Sequence, residues 1–210
     1  MFSSVIEEAA RGQLPPLVPI TVDQLYQMMR SDIVREGDTI ELIDGLLVRK
    51  DRSRRGDNMM THGTRHALLV KRFVRLLMNW CESQGCHLQI QLPIVLSPVN
   101  APEPDLAVIR GSEEDDATVH PGAADVALAI EVADSSLATD RSTKHRLYAT
   151  AGIPVYWLVN IPELQVEVFE QPDVFTGKYQ QTTIVSAGGF LRLALETGEK
   201  LEIEVGELLR

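Results

Sequence analysis

With 210 residues, 44% of them apolar and 24% charged, the chain has an ordinary globular composition and enough length to bury a substantial core. A formal net charge of −10 argues against indiscriminate attraction to a polyanion. Cys81 and Cys86 are too few for a disulfide framework, and their spacing lacks the set of nearby Cys and His partners that makes a zinc site.

The opening stretch, MFSSVIEEAARGQ, lacks a basic segment leading into an apolar one. No apolar run approaches the ~20 residues of a membrane span. The expected location is therefore the cytoplasm, without membrane contact. Residues 1–20 read as an N-terminal extension, and 21–210, free of repeats and low-complexity linkers, as a single domain.

In chain order, 21–31 predicts a short helix with Thr21 as its cap. Residues 39–50 predict a hairpin turning at Asp44-Gly45. The strongest helix is 61–85, where Leu69, Phe73, Leu76, Leu77 and Trp80 recur at three- and four-residue steps before Gly85. Its other face carries Arg65, Lys71, Arg72 and Arg75. Strands are expected at 87–97 and Leu106–Ile109. The near-continuous apolar run 125–133 predicts a strand covered on both faces. A helix capped by Thr139 or Asp140 should run through Thr150 and stop at Gly152, with Pro154 beyond. Residues 155–160 form the next strand. The alternating segments 164–171, 178–186 and 201–205 suggest antiparallel strands added at the C-terminal end. A strand–helix–strand unit from 126 to 159 requires a parallel pair. The fold class is α/β: a mixed central sheet flanked by helices, with additional antiparallel C-terminal strands.

Charge is segregated. Between Arg49 and Arg75 stand nine Lys and Arg against Asp51 and Asp57, a segment net of +7 that leaves −17 for the remainder. Such a segment is either a solvated loop and helix face or an edge that faces phosphates. On the second reading Arg49, Lys50, Arg52, Arg54, Arg55, Arg65 and Lys71 are the candidate nucleic-acid contacts.

Two acids stand at strand ends. Asp105 opens one strand and Glu131 closes another. At adjacent strand ends, two carboxylates with backbone carbonyls and water make an oxygen-rich site for a hard divalent ion. Without the ion, repulsion and burial raise at least one pKa. Asp105 is equally a turn residue after proline. Glu131, inside ALAIEVA, requires a partner whatever its role. Lys144 lies one helical turn after Asp140 and one before Tyr148. It either forms a surface pair with Asp140 or aims its ammonium at the acids' water, with Asp140 and Tyr148 as accessory groups. Glu41, flanked by Ile40, Leu42 and Ile43, is a third oxygen ligand or a residue on a strand's solvent face. His66 heads the basic helix as a surface residue, a cap or an accessory to the site.

Taken together, YQMM…ELIDGLLV, H…LLVKRFVRLL, PEPDLAVI and AIEVADSS…D…K…Y…GIPVYWLVN resemble the Uma2 family, also called DUF820, within the PD-(D/E)XK restriction-endonuclease-like superfamily. The resemblance runs from about Thr21 to the C-terminus, and residues 130–160 are its most specific part. It implies that Pro104-Asp105 is the PD of the motif and Glu131 the second acid. The motif's lysine belongs two residues after that acid, where this chain has Ala133. Lys144 would then be a lysine moved from the strand to the neighbouring helix. The resemblance further implies that Asp105, Glu131 and the Val132 carbonyl bind Mg²⁺ or Mn²⁺, and that Glu41 supports the metal or its water.

The function these features suggest is a metal-dependent endonuclease hydrolysing phosphodiester bonds of DNA, with Asp105, Glu131, Lys144 and Glu41 as its catalytic set. A homodimer suits the cutting of two strands. One alternative is a catalytically inactive nucleic-acid-binding or regulatory module that retains the fold, favoured by the net charge and by Ala133. Another is a hydrolase of smaller phosphodiesters.

Overall fold

A computed structural model describes residues 9, 11–12, 17–35, 38, 40–50, 59–195, 198 and 200–210. Helix α1 (Val22–Arg30) begins at Thr21. The Thr21 side chain accepts from the Gln24 N–H while the Gln24 side chain accepts from the Thr21 N–H, so two orphan donors of the first turn are satisfied reciprocally. Strands β1 (Ile40–Ile43) and β2 (Leu46–Arg49) form the expected antiparallel hairpin. Asp44 and Gly45 both take positive φ, 49° and 73°, matching the twist of a two-residue hairpin turn.

Helix α2 (Met59–Ser83) buries Leu69, Phe73, Leu77 and Cys81 along one face. Strand β3 (Cys86–Ile90) is shorter than the 87–97 expected. Gln91 turns the chain out of the ladder with φ 50°, and Pro93 has no N–H with which to rejoin it. Beyond it, Val95 and Ser97 make only isolated bridges. Strands β4 (Leu106–Arg110) and β5 (Val126–Ala133) follow, with all eight residues of β5 buried.

Helix α3 covers residues 137–150 and starts earlier than either expected cap. Thr139 and Asp140 both have helical backbone, and Asp140–Lys144 forms a π-type turn inside the helix. Asp140 is thus a buried helix residue rather than a cap. Strands β6 (Val155–Asn160), β7 (Gln165–Asp173) and β8 (Lys178–Ser186) complete a six-stranded sheet in the order β3-β4-β5-β6-β7-β8. The β5–β6 pair is parallel and joined through α3; the other pairs are antiparallel. The last expected strand does not extend this sheet. Strand β10 (Leu201–Glu204) pairs instead with β9 (Phe190–Leu193) in a separate ladder, followed by α4 (Val205–Leu209).

The sheet has two buried faces. One, with Leu106, Val108, Leu128, Ile130, Val132 and Trp157, packs against α2, α4 and the β9–β10 ladder. The other, with Ala107, Ala129, Ala133, Tyr156 and Leu158, packs against α3. A smaller cluster joins α1 to the β1–β2 hairpin through Val22, Leu25 and Leu42. Both cysteines are buried free thiols, Cys81 on α2 and Cys86 at the start of β3. Burial pushes the Cys81 thiol up to about 12, so it carries no thiolate chemistry near neutral pH. Among the described residues no helix is long and apolar enough to cross a membrane.

Candidate functional site

Register brings the two acids together. Leu106 of β4 pairs with Ile130 of β5 in antiparallel fashion. One step outward sets Asp105 across from Glu131, and residues directly opposite on such a pair have Cβ atoms about 5 Å apart. Side-chain alternation puts both on the α3 face, with Ala107, Ala129 and Ala133. Those three alanines leave depth at the sheet surface, and α3 fills it with Lys144 and Tyr148.

Lys144 is the centre of the polar cluster and is only 4% exposed. Its Nζ donates to Glu41 Oε1 at 2.6 Å and to Glu131 Oε1 at 2.9 Å. The Tyr148 hydroxyl donates to the same Glu131 oxygen at 2.7 Å. No hydrogen bond from a described residue reaches Glu131 Oε2. The surface pairing of Lys144 with Asp140 is therefore not what forms. Lys144 and Asp140 are both buried, and the π-type turn widens the helix where they enter. Tyr148 and Tyr156 meet edge-to-face at 5.0 Å, and Tyr156 stacks on Phe169 at 5.4 Å, which fixes α3 on the sheet.

Glu41 arrives from the hairpin. Residues 97–103 bind β1 and its turn: Ala101 N–H donates to Leu42 O at 2.8 Å and Gly45 N–H to Val99 O at 2.9 Å. The Glu103 N–H then donates to Glu41 Oε1 at 2.7 Å. Among the described residues no three or more acids, His and Cys are grouped to hold a metal, and Glu41 is buried rather than on a solvent face. Glu41 holds Lys144.

Asp105 Oδ2 accepts from the Val132 N–H at 2.9 Å and lies 2.9 Å from His66 Nε2. Gln91 Nε2 donates to Oδ1 at 3.1 Å. In a strand the N–H and C=O of one residue project to the same edge. The Val132 carbonyl therefore leaves β5 on the side of Asp105.

Electrostatics follow from crowding. Burial raises the Glu131 pKa, Lys144 opposes that, and Asp105 and Glu41 add to it. Burial and then Glu131 raise Asp140 to about 7, against a hydrogen bond from Ser136. Burial would lower Lys144, but Glu131 and Glu41 outweigh it and hold the ammonium above its ordinary value. Burial lifts Tyr148 well above its ordinary value, helped by Glu131, so it remains a donor. Four buried carboxyl groups (Glu41, Asp105, Glu131 and Asp140) thus face one buried ammonium. The donor set fits a hard cation: two carboxylates facing each other from adjacent strands, a backbone carbonyl and an excess of negative charge.

These groups line a cleft of about 560 Å³, closed on one side by Gly63, His66, Ala67 and Val70 of α2. Arg49 and Lys71 are exposed at its wall. Lys50 turns inward, its Nζ donating to Glu103 O and lying 3.4 Å from Glu103 Oε2. Arg65 is exposed on α2 outside the cleft lining. Arg72, on the same basic face, donates to Leu208 O at 2.7 Å and anchors the C-terminus. Arg52, Arg54 and Arg55 lie outside the described residues.

Sequence reasoning missed Gln91 and Glu103. Pro93 is a local signal for the end of β3 that the expected 87–97 strand ran past, but nothing local pointed Gln91 at Asp105. Glu103 stands in PEPD beside Asp105, and burial raises its pKa, with Lys50 opposing and Glu41 adding.

A second groove of about 480 Å³, between Val18–Ile20 and α1, is lined among the described residues by Gln24, Gln27, Met28, Ser31 and apolar side chains, with no charged group.

Comparisons with known proteins identify the family and the fold. The family model Uma2, described as "Putative restriction endonuclease", matches residues 22–206. Among solved structures, a crystal structure of "a putative nuclease belonging to DUF820" from Anabaena variabilis ATCC 29413 superposes with a TM-score of 0.63 at 16% identity. The match covers 91% of this chain and 98% of that one, and at such identity it speaks to the fold alone. No curated protein matches.

Proposed function

We propose, since this chain belongs to the Uma2 family, that its cleft is the active site of a metal-dependent endonuclease hydrolysing phosphodiester bonds of DNA. The family and the fold support a restriction-endonuclease-like protein. The observation that carries the finer reading is the meeting of Asp105, Glu131 and Lys144 in one cleft. Asp105, Glu131 and the Val132 carbonyl would hold Mg²⁺ or Mn²⁺. When bound, the ion supplies positive charge and lowers the pKa of water.

The chain's own groups then have distinct tasks. Lys144 holds Glu131 in place and is itself held by Glu41. Its ammonium offsets charge on a pentacovalent phosphate and orients the attacking water. Tyr148 keeps Glu131 Oε1 occupied, which would leave Oε2 for the ion. Arg49 and Lys71 hold the flanking phosphates. One domain, 21–210, suffices for the site, and a homodimer would offer a site to each strand.

The rival reading, a fold retained without catalysis, is favoured by the full pairing of the Lys144 ammonium between two carboxylates. Incubation of plasmid with Mg²⁺ or Mn²⁺ separates the two. Cleavage by the wild type, and its loss by at least 100-fold in Asp105→Ala and in Glu131→Ala, is expected. Equal cleavage by all three proteins would assign the activity to a contaminant and remove this proposal.

A further inference from the structure

Gln91 takes φ 50°, a conformation that costs a residue with a Cβ about 1–2 kcal/mol. The nearby proline does not require it, because Pro93 restricts the residue directly before it, Leu92. Two hydrogen bonds give a reason. The Gln91 N–H donates to Asp105 O at 3.2 Å, and Gln91 Nε2 donates to Asp105 Oδ1 at 3.1 Å. Backbone and side-chain amides of one residue thus grip backbone and side-chain oxygens of the other. The second carboxylate oxygen is met by the Val132 N–H and by His66 Nε2, each at 2.9 Å. A carboxylate held at both oxygens from the residue after β3, from β5 and from α2 cannot turn about its last side-chain torsion.

We infer that Gln91 is a positioning residue, an inference that rests on the metal reading above. Its strained backbone is retained because it fixes the plane of Asp105 toward the ion shared with Glu131. Backbone strain kept at a functional site is the general pattern, and groups that orient a metal-ligating carboxylate affect metal affinity 10–100-fold.

A purely structural bend makes a different prediction. Glycine adopts φ 50° without strain, so Gln91→Gly removes the side-chain grip and the strain together. The test is calorimetric titration of metal-free wild type and Gln91→Gly with Mn²⁺, beside thermal melts without metal. The expected result is a melting temperature no lower than that of the wild type and Mn²⁺ affinity weaker by about 10–100-fold. Equal affinity in the two proteins overturns the inference and leaves the metal site standing. A large drop in melting temperature together with lost binding makes Gln91 structural and also overturns it. Absence of Mn²⁺ binding in the wild type itself removes the metal reading, and this inference with it.

Discussion

Asp140 illustrates how burial sets the chemistry of a single residue. From its sequence position it read as a helix cap or a surface partner for Lys144. The structure buries it beside Glu131, and burial raises its pKa to about 7. The folded protein therefore binds this proton more tightly than the unfolded chain does. That contribution is fully present below the unfolded value of 3.8 and is lost as pH rises through about 7. Metal-free protein should thus lose stability between pH 4 and pH 7, at up to about 1.4 kcal/mol per pH unit from this group. Urea denaturation of Asp140→Asn should show a shallower slope, with Glu131, raised in the same direction, supplying what remains. Identical slopes would mean that Asp140 ionises as freely folded as unfolded. Lys144 presents the same problem: its type and spacing were visible, but a surface pair and a buried bridge share one spacing.

The β1–β2 hairpin shows an element whose local chemistry was legible and whose destination was not. Asp44-Gly45 between apolar runs requires a tight turn. Gly45 is needed twice over, because φ is 73° and a Cβ there would lie 2.2 Å from Pro19 Cβ. Gly45→Ala should cost at least about 1–2 kcal/mol, read from the urea midpoint. It should also weaken the hold of Glu41 on Lys144, since the Gly45 N–H anchors the turn to Val99. Unchanged stability would show that the turn tolerates rearrangement. That this hairpin carries Glu41 to a lysine 103 residues further on could not be read from its own residues. Strand β3 erred the other way: alternation carried the expected strand through 97, whereas the positive φ of Gln91 and the proline at 93 end it at Ile90.

Across the whole molecule the basic segment 49–75 divides by what surrounds each cation. Arg49 and Lys71 stand exposed beside the cleft, Lys50 is drawn to Glu103, and Arg72 is spent on the C-terminus. If the proposed function holds, of these four described cations the first pair releases counterions on binding DNA. In a Glu131→Ala background, Arg49→Glu with Lys71→Glu should reduce the slope of log affinity against log salt by about two, measured by fluorescence anisotropy on a duplex. Arg72→Ala should leave that slope unchanged while lowering stability. A slope unaltered by the double charge reversal would place the DNA path elsewhere.

The sequence by itself determined most of the elements and their order, though not β9 or α4. Helix α1 with its cap, the Asp-Gly turn, the apolar face of α2, the doubly covered β5 and the crossover to β6 all follow from local propensity and periodicity. Each of these depends on neighbours within a few residues. It also named Asp105, Glu131 and Lys144 as the groups to watch. Only the tertiary structure decided which partners they meet. Strand register set Asp105 across from Glu131, three alanines left room for a lysine from α3, and Gln91 and Glu103 closed around the cluster. Such contacts join positions tens of residues apart. No pattern along the chain encodes them, because their geometry is fixed by the packing of the whole.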